Sequence, residues 1–191
     1  MNIYMADLSK IDFQPDILNK YQSLLTDSEL ERYRHMTAPL RQKQFLIGRV
    51  LIQSVCHQSP KLSKSGKLCL TDGYIGLAHS GPYVVLATAE YPVGIDIEDM
   101  TKNKDFYALA DRLKFKLSGD IQTSFYKQFT RFEADYKLSD PTGTVHHAYY
   151  RSGDFLICLA SVHPISASFF QMASNLSFTP IRTPVLIEDI S

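Results

Sequence analysis

Two runs near the middle of the chain, YVVLATA at 83–89 and VGIDIED at 93–99, constrain the fold more than any other feature. Both are short and rich in β-branched residues, and only Glu90, Tyr91 and Pro92 separate them. They read as two strands joined by a hairpin or a sheet corner. Side chains alternate along a strand, so Ile95 and Ile97 share one face while Asp96 and Glu98 share the other. Two carboxylates this close repel each other unless a cation lies between them. The bland reading is a strand end with one solvated face. The functional reading is a rigid pair of hard oxygen ligands, a pattern that favours Mg²⁺ and leaves Mn²⁺ open as a substitute.

The flanking segments set the fold class. Residues 1–60 read as mostly helical: Thr26 and Glu29 form a capping-box pair, and Ile47, Leu51 and Val55 repeat on one helix face. SPKLSKSGK at 59–67 is loop-like. From Lys67 to about Glu98 the period becomes that of strands. Residues 99–120 are charged and in part helical. SFYKQFTRFEADYKL at 124–138 is an amphipathic helix whose Phe125, Phe129, Phe132 and Tyr136 make one aromatic stripe, and SDPTGT ends it. VHHAYYR, DFLICLASV and SASFFQMAS return to strand patterning. The order helices, strands, helix, strands predicts an α+β fold of two similar lobes related by a pseudo-twofold, with the active site in the cleft between them. The lobes would span 1–92 and 93–178, and 179–191 would form a loosely attached tail.

Composition narrows the partners. The 191 residues carry 20 basic and 20 acidic side chains, so the formal net charge is zero and nothing in the balance calls for nucleic acid or an anionic membrane. The three cysteines, Cys56, Cys69 and Cys158, are too far apart in sequence for a CxxC zinc site or a disulfide framework. The N-terminus lacks the apolar core of a signal peptide, and no apolar run reaches membrane-spanning length, so a cytoplasmic setting is the default.

Three further features carry chemistry. Glu133 lies just off the aromatic stripe with Lys137 four residues on, which is a surface ion pair or a base and a cation presented together. His79 and Ser80 precede Gly81 in GLAHSGPY, where small residues let backbone N–H groups approach an anion and a protonated His favours phosphate. Lys64 and Lys67 in SKSGK add basic side chains nearby.

In this order, GKLCL, GLAHSGPY, GIDIE and FTRFEADYK resemble the motifs of the 4′-phosphopantetheinyl transferases, in particular the surfactin-synthetase-activating type. GIDIE at 94–98 matches in full, and the helix motif matches at Thr130, Glu133, Ala134 and Lys137. Phe129 stands where the family has Trp, Phe132 where it has Lys, Ala78 where it has the first Ser of an SHS turn, and Leu68 where it has Pro.

The resemblance implies transfer of the phosphopantetheine arm from coenzyme A to a serine of an acyl, peptidyl or polyketide carrier protein. It implies Mg²⁺ held by Asp96, Glu98 and Glu133, with Glu133 as the base. Lys137 would lie on the diphosphate, and His79, Ser80 and Lys67 at the nucleotide end. Arg32 or Arg41 could join His79 on the 3′-phosphate. A monomer would suffice, since one chain supplies both sides of the cleft. KNKDFYALADRLKFK at 102–116 is a candidate docking face for an acidic carrier, or a solvated helix face. Two other readings stay open: a different Mg²⁺–diphosphate enzyme, and a degenerate homologue that binds coenzyme A or a carrier protein without efficient transfer.

Overall fold

The computed structural model describes residues 1–63, 67–138, 143–173 and 175–190. It is a mixed α+β fold, as the patterning predicts. In chain order the elements are β1 (Asn2–Asp7), α1 (Pro15–Gln22), α2 (Asp27–His35), α3 (Pro39–Cys56), β2 (Lys61–Leu62), β3 (Leu68–Cys69), β4 (Tyr74–Ser80), β5 (Tyr83–Ala89) and β6 (Val93–Asp99). There follow α4 (Phe106–Leu113), α5 (Ile121–Lys137), β7 (His146–Ser152), β8 (Phe155–Ser161), β9 (Ser168–Met172), β10 (Phe178–Pro180) and β11 (Val185–Ile190).

These strands form a five-stranded sheet in the order β10-β9-β1-β5-β4, a four-stranded antiparallel sheet in the order β11-β7-β8-β6, and the small β2–β3 ribbon. β5 and β6 belong to different sheets, so the residues between them make a corner and not a hairpin. β4 closes one sheet and β6 closes the other, and these two edge strands lie against each other.

Strand alternation builds three cores from two sheets. Val84 and Leu86 face the α1–α3 side, where Tyr21, Leu46, Val50 and Leu51 fill the first core. Val85 and Ala87 face the other way and meet Ile95, Ile97, Ile157 and Leu159 between the sheets. Leu156, Cys158 and Ala160 point to the third core, against Phe125, Tyr126 and Ala134 of α5. Ile95 and Ile97 are 0% and 1% exposed; burial of each stabilises the fold by about 1.5–3 kcal/mol. Asp96 and Glu98, on the opposite face of β6, therefore look toward α5.

One glycine fixes how near α5 comes. A Cβ on Gly94 would lie 2.0 Å from the Ala134 carbonyl oxygen, so only glycine lets this helix rest on β6.

Several local expectations change. The first 60 residues are mostly helical, as read, but β1 opens the chain and runs between β5 and β9. SPKLSKSGK contributes β2, and its residues 64–66 lie outside the described residues. The aromatic stripe is only half buried: Phe125 is 1% exposed, but Phe132 and Tyr136 are 50% and 64% exposed. The buried face of α5 is instead Phe125, Tyr126, Thr130 and Ala134. SDPTGT falls mostly outside the described residues, and α5 ends at Lys137 before it. The expected loose tail is tied in, since β10 pairs with β9 and β11 pairs along β7. No helix among the described residues is long and apolar enough to cross a membrane.

Candidate active site

A cavity of about 340 Å³ opens where the two edge strands meet α5. Leu77, Ala78 and His79 of β4, Asp96 and Glu98 of β6, and Phe129, Glu133 and Lys137 of α5 line it. The structure thus brings together all three expected carboxylates, the expected lysine and the expected histidine. Glu133 and Lys137 are one turn apart on the same helix, which is why both reach the same opening.

Asp96 is 5% exposed. A buried carboxylate is costly unless it is paired, and Lys137 pairs it, donating from Nζ to Oδ1 at 2.6 Å. Its Oδ2 has no hydrogen-bond partner among the described residues. Burial pushes the Asp96 carboxyl up to about 7, against the pull of Lys137, and the charges of Glu98 and Glu133 add to the rise. Lys137 thus joins the strand and does not form the helix-surface pair with Glu133 that the spacing allows.

Glu98 accepts from Ser80 Oγ at 3.4 Å and faces Lys104 Nζ at 3.9 Å. Burial raises its carboxyl as well, offset in part by Lys104 and Lys102. Ser80 also accepts from the Asp99 amide at 3.1 Å and from Lys102 Nζ at 3.4 Å. Its hydroxyl ties the end of β4 to the end of β6.

A second cavity of about 220 Å³ adjoins the first and shares Leu77 and His79 with it. Arg32, Arg41 and Arg49 line it with Gln44 and Phe45. Arg41 donates from Nη1 to His79 Nε2 at 2.7 Å. Burial first, and then Arg41, push His79 down to about 4, so it is neutral at pH 7 and accepts from the guanidinium. Arg32 lies over the Phe45 ring at 5.2 Å. Arg49 is held by Glu29 at 2.7 Å, while Gln44 donates to the Gly81 carbonyl at 2.8 Å.

Lys67 goes elsewhere. Its Nζ donates to the Leu138 carbonyl at 3.0 Å and lies 5.5 Å from the Tyr136 ring centre, so it caps the C-terminal end of α5. It lines a neighbouring cavity with Tyr136 and Lys137, one opening away from His79. Lys64 lies outside the described residues.

The sequence reading missed Arg49, Gln44 and Lys104. The charges of α3 gave no signal of which arginine turns inward. Lys104 sat in plain view after GIDIED, but it read as part of a docking face.

The carboxylates suit a hard divalent cation in kind, and the orphaned Asp96 Oδ2 is a free acceptor beside them. They are not a ready-made cluster: among the described residues no group of three or more His, Cys, Asp or Glu side chains is gathered closely enough to hold a metal ion. In this arrangement the Lys137 ammonium supplies the positive charge on Asp96.

Comparison with known proteins adds one relative. The chain is 31% identical over 91 residues to the 4′-phosphopantetheinyl transferase Sfp of Bacillus subtilis strain 168, an alignment covering 41% of each protein. The match therefore spans well under half the length of that relative. No family model matches the chain.

Proposed function

We propose that the protein transfers the 4′-phosphopantetheine arm of coenzyme A to a serine of a carrier protein and releases adenosine 3′,5′-bisphosphate. The observation that carries this reading is the meeting of Asp96, Glu98, Glu133 and Lys137 on one cavity, with the Arg41–His79 cavity directly beside it. The partial likeness to a 4′-phosphopantetheinyl transferase supports the same reaction class.

Asp96, Glu98 and Glu133 would hold Mg²⁺, or Mn²⁺ in its place, and the ion would neutralise charge building on the diphosphate. Glu133 takes the proton from the carrier serine as its Oγ forms the new bond to phosphorus. The bond from that phosphorus to the adenosine bisphosphate oxygen breaks, and the leaving group departs with the bonding pair. Lys137 offsets the charge on this oxygen as a point cation. Arg41 and Arg32, with His79, hold the nucleotide end, whereas Ser80, expected there from the sequence, is instead tied to Glu98, the Asp99 amide and Lys102 on the carboxylate side. Residues before about 93, joined by β9 and β10 in the same sheet, act as one lobe on the nucleotide, and β6 to β8 with α4 and α5 act as the other, carrying metal and base. The expected boundary at 178 thus gives way to strands that return to the first sheet. The chain acts as a monomer. Lys67 contributes by keeping the end of α5 in place.

The test is intact-mass analysis after incubation with Mg²⁺, coenzyme A and apo carrier proteins of the acyl, peptidyl and polyketide types. The expected result is gain of one phosphopantetheine arm, lost in Asp96→Ala and Glu133→Ala. Coenzyme A binding with no gain on any carrier would replace this reading with that of a non-transferring homologue. Phe132, where the related helix motif has a lysine, and Ala78, where the related turn has a serine, are the residues that favour this second reading.

A further inference from the structure

We infer that Lys104 is a phosphate-binding residue of this site, supplied by the loop after β6. This rests on the proposed reading that the site receives a diphosphate. Helix α5 lines the cavity with a single cation, Lys137, and its Phe132 packs on Phe115 with centres 6.2 Å apart. The loop between β6 and α4 brings Lys104 to the site from another direction.

The placement of Lys104 is built and not incidental. Its ammonium lies 5.0 Å from the Tyr126 ring centre, 5.4 Å from Phe129 and 6.0 Å from Phe125. Three aromatic faces hold a cation without consuming its N–H groups. Phe129 also lines the site cavity, so the ammonium stands at its rim. The loop backbone is pinned on both sides of Lys104. Tyr126 Oη donates to the Lys102 carbonyl at 3.0 Å, Gln122 donates to the Met100 carbonyl, and Asp105 caps α4 by accepting from the Ala108 amide at 3.0 Å.

The two lysines differ in what they have left to give. Lys137 is committed to Asp96 at 2.6 Å. Lys104 faces Glu98 at 3.9 Å, beyond hydrogen-bond distance, with its side chain 27% exposed. Among the described residues it has no hydrogen-bond acceptor. Its donors remain for an incoming anion. Charge balance points the same way. Asp96, Glu98 and Glu133 are matched only one for one by Lys137, Lys104 and the Lys102 beside Ser80, so there is no surplus positive charge and a diphosphate entering here needs each of these cations.

Calorimetric titration of coenzyme A and, separately, inorganic pyrophosphate in Mg²⁺ buffer tests this. The proteins are wild type, Lys104→Met, Lys104→Arg and the remote control Lys20→Met. A thermal melt of each confirms folding. Loss of a charge-assisted contact predicts about tenfold weaker binding of both ligands by Lys104→Met. Lys104→Arg stays within about threefold, since Arg keeps the charge and the ring contacts, and Lys20→Met is unchanged. Equal affinities for Lys104→Met and wild type would overturn the inference, as would Lys104→Arg binding as weakly as Lys104→Met. If wild type binds pyrophosphate in a Lys104-dependent way but not coenzyme A, the inference stands and the transferase reading falls. If it binds neither, both fall.

Discussion

Asp96 and His79 share one cavity, and their surroundings push them in opposite directions. Burial raises Asp96 to about 7 and lowers His79 to about 4. Between about pH 4 and 6.5 the unfolded chain binds more protons at His79 than the folded one, so this histidine makes stability rise with pH. Over about pH 4 to 7 the folded chain binds more protons at Asp96 than the unfolded one, so this carboxyl makes stability fall with pH. The two slopes oppose each other. Urea unfolding of the metal-free protein at pH 4.5, 5.5 and 6.5 separates them. Asp96→Asn steepens the rise in stability with pH relative to wild type, and His79→Gln turns the profile downward. Parallel profiles for all three proteins would contradict the assigned environments. The Asp96–Lys137 contact has its own signature. Lys137→Met leaves a buried carboxyl without its cation and destabilises the fold by about 2 kcal/mol, less than a permanently charged group would cost because Asp96 can keep its proton. Adding Asp96→Asn to that variant recovers most of the loss in the same unfolding measurement.

Among the elements, α5 and its bed on β6 decide whether the site exists. A methyl group at Gly94 would overlap the Ala134 carbonyl oxygen, which is backbone and has no rotamer to escape into. Gly94→Ala therefore lifts the helix from the strand, with an expected loss of about 3 kcal/mol seen as a lowered melting temperature. For contrast, Thr26→Ala removes only the capping box of α2, a hydroxyl that accepts from the Glu29 amide at 3.4 Å, and costs about 1 kcal/mol. These elements were legible to different degrees for physical reasons. The capping box, α5 and the carboxylate face of β6 are local patterns, and local patterns survive in a single sequence. The strand NIYMAD did not stand out, since it pairs with Thr88–Tyr83 on one side and Ser168–Gln171 on the other, partners far along the chain. The last strand was hidden in the same way: Val185 and Leu186 read as a tail because their support is β7, reached only through the fold. The stripe of α5 misled at Phe132 and Tyr136, where periodicity gives the face but not how far the neighbouring sheet extends beneath it.

Across the whole molecule the site belongs to a seam. β4 brings Leu77, Ala78 and His79 from one sheet, and β6 brings Asp96 and Glu98 from the other. No spacing in the sequence announces that these two strands lie side by side, because they share no hydrogen-bonded ladder. Gly76 holds the seam shut. A Cβ there would meet Ile95 Cγ2 at 2.9 Å and the Ile95 backbone nitrogen at 3.2 Å, so the second sheet would have to move. A Cβ on Gly48 would meet the Leu77 side chain, Cδ2 at 3.0 Å with Cδ1 and Cγ at 3.6 and 3.7 Å, which is the end of a flexible side chain and not backbone. The two substitutions thus separate prying the sheets apart from crowding one core. Gly48→Ala also gains about 1 kcal/mol of helix propensity, which offsets its contact, and its stability stays within about 1 kcal/mol of wild type. Gly76→Val inserts a branched side chain against backbone, with an expected loss of about 3 kcal/mol. It also shifts the Arg41–His79 cavity relative to the carboxylates. A ligand that must span both cavities then binds poorly, whereas pyrophosphate, which needs only the carboxylate side, is less affected. Calorimetry on the folded fraction should show coenzyme A affinity falling more than pyrophosphate affinity in Gly76→Val, and neither falling in Gly48→Ala. Equal losses for the two ligands would mean that the nucleotide end does not reach across the seam.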